Sequence, residues 1–106
     1  MHRKYNLPEF ALFAIPNGGA RGHITGGLLK AEGVRRGCPD LMLARKDVVG
    51  RHGLFIEMKR KDAGRESNEQ KAFALYLHES GYGVVTCWSA EQAIKAIVVY
   101  LDDIPF

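Results

Sequence analysis

The segment that most limits the fold runs from Leu54 to Trp88. Leu54, Phe55 and Ile56 are strand formers bounded by Gly53. Ser67-Asn68-Glu69-Gln70 has the form of a capping box, in which the serine hydroxyl takes the amide of residue 70 and the glutamine reaches back. It opens a helix with Phe73, Tyr76, Leu77 and Ser80 on one face, and Gly81 and Gly83 mark its end. Val84 to Trp88, rich in β-branched residues, is a second strand. A strand, a helix and a strand in that order cross over right-handed and leave the two strands parallel. Side chains alternate along a strand, so Leu54, Ile56 and Met58 point one way and Phe55, Glu57 and Lys59 the other. A carboxylate and an ammonium then lie side by side among apolar neighbours, as a structural ion pair or as a reactive site.

Upstream, Gly37-Cys38-Pro39-Asp40-Leu41-Met42-Leu43 places a second acid at the start of another apolar strand, at about 40–44. The polar stretch Arg45 to His52 has hairpin length, and an antiparallel pairing brings Asp40 beside Glu57, in a strand at about 54–59. Residues 10–15 form an apolar run suited to a buried strand, ended by the turn Pro16-Asn17-Gly18-Gly19. The glycine-rich stretch after it is a connecting loop, or one that lets the backbone approach phosphate with Asn17 and Arg21 as donors. A weak helix is expected over 25–32, with Thr25 as N-cap. Arg35 and Arg36, and the basic loop with Arg60, Lys61 and Arg65, are solvated charges or phosphate contacts. Ser89-Ala90-Glu91-Gln92 repeats the capping box before a helix with Ala93, Ile94, Ile97, Val98 and Leu101 on one face. The pattern reads as a single α/β domain over 1–106 with a mixed sheet, behind a polar lead at 1–8.

Composition excludes several classes. No run approaches the ~18 apolar residues of a membrane span. Pro8 and Glu9 break any signal-type apolar core, so a cytoplasmic setting is expected. The four histidines and two cysteines show no zinc spacing. Cys38 and Cys87 are expected as two buried thiols, not a disulfide. The net charge of +3 is compatible with a polyanionic partner.

Pro39-Asp40 followed by Glu57-Met58-Lys59 resembles the PD-(D/E)xK nuclease signature. With Pro16-Asn17-Gly18-Gly19, Gly37, Ile56 to Lys59, Ser67 and Gln70 in order, the chain from about Phe13 to Leu101 resembles the virus-type replication-repair nuclease family, VRR-NUC. That resemblance implies a restriction-endonuclease-like core, a central mixed sheet flanked by helices. It implies one Mg²⁺ or Mn²⁺ held by Asp40, Glu57 and the backbone carbonyl of Met58. Lys59 would orient the attacking water or stabilise the pentacovalent state, and Gln70 would sit at the site, a role that can coexist with helix capping, the alternative being capping alone. Asn17, Arg21, Arg35, Arg36, Arg60, Lys61, Arg65, Ser67 and Lys71 are the candidate nucleic-acid contacts. The implied activity is a structure-selective DNA endonuclease, similar to Holliday-junction resolvases, working as a homodimer on branched DNA and of phage or mobile-element origin. A departure from the family pattern is the short lead of about nine residues, where Glu9 is the only acid available to replace an N-terminal helix glutamate. The rival reading is a catalytically silent nucleic-acid-binding module, and RNA is not distinguished from DNA as substrate.

Overall fold

A computed structural model of the chain describes residues 7–16, 36–60 and 66–102. These residues form strands β1 (Leu12–Ala14), β2 (Leu41–Leu43), β3 (Leu54–Met58) and β4 (Gly83–Cys87), and helices α1 (Asn68–Glu79) and α2 (Ala90–Leu101). The sheet order is β1-β2-β3-β4. The first two pairings are antiparallel, and β3 and β4 are parallel across the α1 crossover, as the sequence pattern requires. The sheet is therefore mixed. The helix expected over 25–32 lies outside the described residues.

Register sorts the side chains into two faces. Leu43, Leu54, Ile56 and Cys87 lie on the buried face, where Ala93, Ala96, Ile97 and Tyr100 of α2 complete the core together with Leu7 and Ala11. Leu54 and Ile56 have no exposed surface, and each buried side chain of that size contributes roughly 1.5–3 kcal/mol. The opposite face carries Asp40, Glu57, Val84 and Thr86, and α1 lies over it.

Four expectations need correction. The run 10–15 is not a buried strand: a short 3-10 helix at Glu9–Ala11 precedes β1, Phe10 is 80% exposed and Phe13 44%. Its strand lies at the sheet edge, with only β2 beside it. Leu7 is no part of a polar lead but packs into the core. On α1, Leu77 is buried while Tyr76 points outward, because that helix packs chiefly on β4 and needs only a narrow stripe. On α2 the buried positions are Ala93, Ala96, Ile97 and Tyr100, with Ile94 half exposed. The small Ala93 and Ala96 let the helix approach the sheet, and Tyr100 turns that face inward.

The helix ends follow local chemistry. Both arms of the Ser67–Gln70 capping box are formed. At α2 only one is: Ser89 Oγ accepts from the Gln92 amide, while Gln92 Oε1 accepts one residue further back, from the Trp88 amide. Gly81, at φ +93°, ends α1 in a Schellman turn, the Tyr82 amide donating to the Leu77 carbonyl at 3.0 Å and the Gly81 amide to the His78 carbonyl at 3.1 Å. Gly83 is the first residue of β4 and takes no part in that turn.

The β2–β3 connection is held by a buried ion pair. Asp47 accepts from the Arg51 amide at 2.7 Å and from Arg51 Nε. The Tyr100 hydroxyl donates to the Arg45 carbonyl at 2.7 Å, and the Arg51 guanidinium lies 5.0 Å from the centre of the Tyr100 ring. Burial and the Asp47 charge push the Tyr100 phenol up to about 12. Burial alone would raise the Asp47 carboxyl, but the Arg51 side-chain and backbone hydrogen bonds and its charge hold it below the ordinary value. A lowered folded-state value means stability that is present above the unfolded value of about 3.9 and lost as pH falls through the folded one. Asp47→Asn should therefore lower stability by about 1–3 kcal/mol at pH 7. In urea titrations across pH, its deficit against the wild type should shrink below about pH 3.9.

Candidate active site

Asp40 stands one residue ahead of β2 and is fixed on both sides by backbone. Its amide donates to the Ile56 carbonyl at 3.0 Å, and its carbonyl accepts from the Ile15 amide at 2.7 Å. Its carboxylate reaches across to β3, where Oδ2 accepts from the Met58 amide at 2.7 Å. Glu57 is 7% exposed and lies beside Asp40 on the same face, so the hairpin joins the two acids. Burial, then the Asp40 charge and a hydrogen bond with its carboxyl, push the Glu57 carboxyl up to about 7, with Lys59 pulling the other way and Glu66 adding to the rise.

Gln70 links this acid pair to the lysine and to the helix. Its Oε1 accepts from Lys59 Nζ at 2.7 Å and from the Ser67 amide at 2.9 Å, while its Nε2 donates to Glu57 Oε2 at 3.1 Å. Only this orientation of the amide suits all three partners, since the reverse would set an NH₂ against an ammonium and an amide. Helix capping and the bonds to Lys59 and Glu57 are made by one side chain.

Gly37 sets the distance between the Asp40 segment and α1. Its φ is +87°, and a Cβ there would lie 2.6 Å from the Glu69 backbone carbon and 2.8 Å from the Gln70 nitrogen. The next residue, Cys38, is half-buried, with its thiol pushed up by burial and by the charges of Glu57 and Asp40; Cys87 is the buried thiol of the pair, and neither is in a disulfide.

The remaining expected contacts are exposed where they fall among the described residues. Ser67 and Lys71 are exposed at the start of α1, and Arg60 is exposed just past Lys59. Arg36 is exposed and pairs with Glu69 at 3.7 Å. Asn17, Arg21, Arg35, Lys61 and Arg65 lie outside the described residues. Glu9 is exposed on its 3-10 helix. Among the described residues, no group of three or more His, Cys, Asp or Glu side chains is drawn up to hold a metal, and no helix is long and apolar enough to cross a membrane.

The sequence reading missed Thr86 and Glu66. Thr86 is the register partner of Glu57 on parallel β4 and shares its face. It is the one hydroxyl in an otherwise apolar strand, which is the signal that would have found it. Both residues line a cleft of about 310 Å³ together with Gly37, Pro39, Glu57 and Gln70.

No protein-family profile and no curated protein matches the sequence. A solved structure described as a VRR_NUC domain protein does match, with a TM-score of 0.73 and 25% identity, over 92% of this chain and 72% of that one. The chain has a VRR-NUC-like fold.

Two measurements test this geometry. Gly37→Ala should cost roughly 1–3 kcal/mol from backbone strain, beyond the clash with α1, read as a lower urea midpoint. With EDTA present, wild-type stability should fall as pH rises from 4.5 to about 7, because between those values the folded Glu57 holds more proton than the unfolded one. Glu57→Gln should abolish that fall.

Proposed function

We propose that this protein is a Mg²⁺- or Mn²⁺-dependent endodeoxyribonuclease that hydrolyses DNA phosphodiester bonds. The observation that carries the reading is the single network of Asp40, Glu57, Lys59 and Gln70 on a fold shared with a VRR_NUC domain protein.

The donor set fits a hard divalent cation. Two carboxylates face each other where burial, and then their mutual repulsion, raise the Glu57 carboxyl to about 7, and a dication between them would remove that repulsion. Asp40 and Glu57 would be the side-chain ligands, with the Met58 carbonyl as a backbone one and water or substrate completing the shell. When bound, such an ion supplies a water of lowered pKa and positive charge against the phosphoryl oxygens. The residues of the chain do the positioning. Gln70 holds the Lys59 ammonium beside Glu57, where it orients the attacking water and offsets charge on the pentacovalent phosphate. Arg36, Arg60 and Lys71, with Ser67, stand around this end of α1 and β3 as contacts for the flanking phosphates. A twofold dimer gives two sites for two strands, the arrangement that suits a branched substrate.

The test is incubation of the protein with four-way junction, flap, single-stranded and linear duplex DNA, with Mg²⁺, Mn²⁺ or EDTA. Cleavage should require the metal and fall about 100-fold or more in Lys59→Ala and in Glu57→Ala, with folding and DNA binding retained. Salt-sensitive binding without cleavage by the wild type would favour the silent binding module instead.

A further inference from the structure

The cleft does not end at the acids. It runs from Glu57 and Gln70 along α1 to His78, between the helix and the outer strand β4. Its apolar walls are Pro39, Ala74, Leu75 and Val84, and its polar groups are Glu57, Glu66 and Gln70 together with Thr86 and His78. Among the described residues, no hydrogen bond holds the Thr86 hydroxyl, so it is available to a ligand. Gln70, Ala74 and His78 recur every four residues, so one stripe of α1 forms a continuous wall about 12 Å long at the helical rise.

We propose that this cleft receives one unpaired nucleotide adjoining the scissile phosphate, with the base against Ala74, Leu75 and Val84 and with Thr86 as a specificity-determining contact. The proposal rests on the nuclease reading above. Continuity supports it, because Glu57 and Gln70 belong both to the reactive network and to the cleft wall. Charge supports it, because Glu57 and Glu66 line the cleft and disfavour a phosphate inside it while tolerating a neutral heterocycle. Size supports it, because about 310 Å³ accepts a small-molecule-sized group and no duplex. A base inside a helix cannot enter; it must first be unstacked, which costs least where it is already unpaired. Selectivity for flaps, junction arms or single strands over intact duplex then follows from the shape of the cleft.

The experiment compares a cleavable flap with a series of copies carrying one abasic position, stepped across the nucleotides on each side of the cut. Loss of the base at one position beside the cut should raise KM about three- to tenfold and leave kcat within about twofold, the range for one modest contact. Thr86→Val keeps a β-branched strand residue and removes only the hydroxyl; it should raise KM similarly on the intact substrate while its unfolding midpoint stays near that of the wild type. Ala74→Leu fills the cleft, and in that variant the abasic penalty should vanish, a non-additivity that a merely structural role does not produce. Equal cleavage of the whole abasic series, or an abasic penalty unchanged in Thr86→Val and Ala74→Leu, would overturn the inference while leaving the nuclease standing. Absence of metal-dependent cleavage by the wild type on any substrate would overturn the nuclease reading and this inference with it.

Discussion

Period-two alternation along β3 is the constraint from which the rest of the molecule follows. Leu54 and Ile56 are fully buried against α2, which fixes the strand's register and facing. Glu57 has no choice but to project from the other face. A slip of one residue would put that carboxylate into the apolar core and two large aliphatic side chains over the cleft, at a cost of several kcal/mol. The hydrophobic core therefore positions the acid, although no core residue touches the site. The same logic reaches β2, whose Leu43 is buried, and Asp40 just ahead of it, which lies on the opposite face beside Glu57. It reaches β4, where Cys87 is buried and Thr86 is not.

Helix α1 is tied to this sheet by polar atoms as much as by packing. Leu77 is its one buried residue. Gln70 meets the sheet through Lys59 and Glu57, and Gly37 brings the Asp40 segment against the backbone of the first turn. A helix held at its N-terminus by a hydrogen-bonded amide is placed within tenths of an ångström, which apolar contacts alone do not ensure. Gln70 thus serves the helix and the network with one side chain. Its substitution would remove a cap, free the lysine and strip a donor from Glu57 together, so the effects on stability and on chemistry would be coupled.

The sequence made the topology legible because its punctuation is strong. The Ser67–Gln70 box, the turn at Gly81 and the apolar strands at 54–58 and 83–87 each admit one local structure, and the crossover rule supplies the parallel pairing. The proximity of Asp40, Glu57 and Lys59 followed from hairpin geometry. What stayed hidden depended on tertiary partners. The run from Phe10 to Ile15 reads as buried by composition alone, and only the sheet order shows that it is an edge. The facing of α2 turned on Tyr100, whose hydroxyl is drawn to the carbonyls of a loop some fifty residues away in sequence. Thr86 stood out in sequence only as the lone hydroxyl of its strand, because its meaning arises from the residue beside it on another strand. The spacing from Asp40 to Glu57 can specify a motif, but the neighbours of a side chain across a sheet are fixed by register.

The electrostatics of the site explain why a small chain would tolerate such an arrangement. Among the described residues, Asp40, Glu57 and Glu66 gather around one end of the cleft, with the Lys59 ammonium beside them. Burial first, and then this crowding, disfavour the Glu57 charge, as its raised carboxyl records. Elsewhere the fold favours the opposite solution: the buried Asp47 is matched by Arg51 and held ionised. The two acids of similar burial thus differ in one respect, the presence of a geometrically matched cation partner. At Asp47 the buried carboxylate is matched by the Arg51 guanidinium on one oxygen and the Arg51 amide on the other. Where Asp40 and Glu57 meet, burial and like charge raise the Glu57 carboxyl instead, a cost that persists at a position only when the surrounding packing is strong enough to hold it.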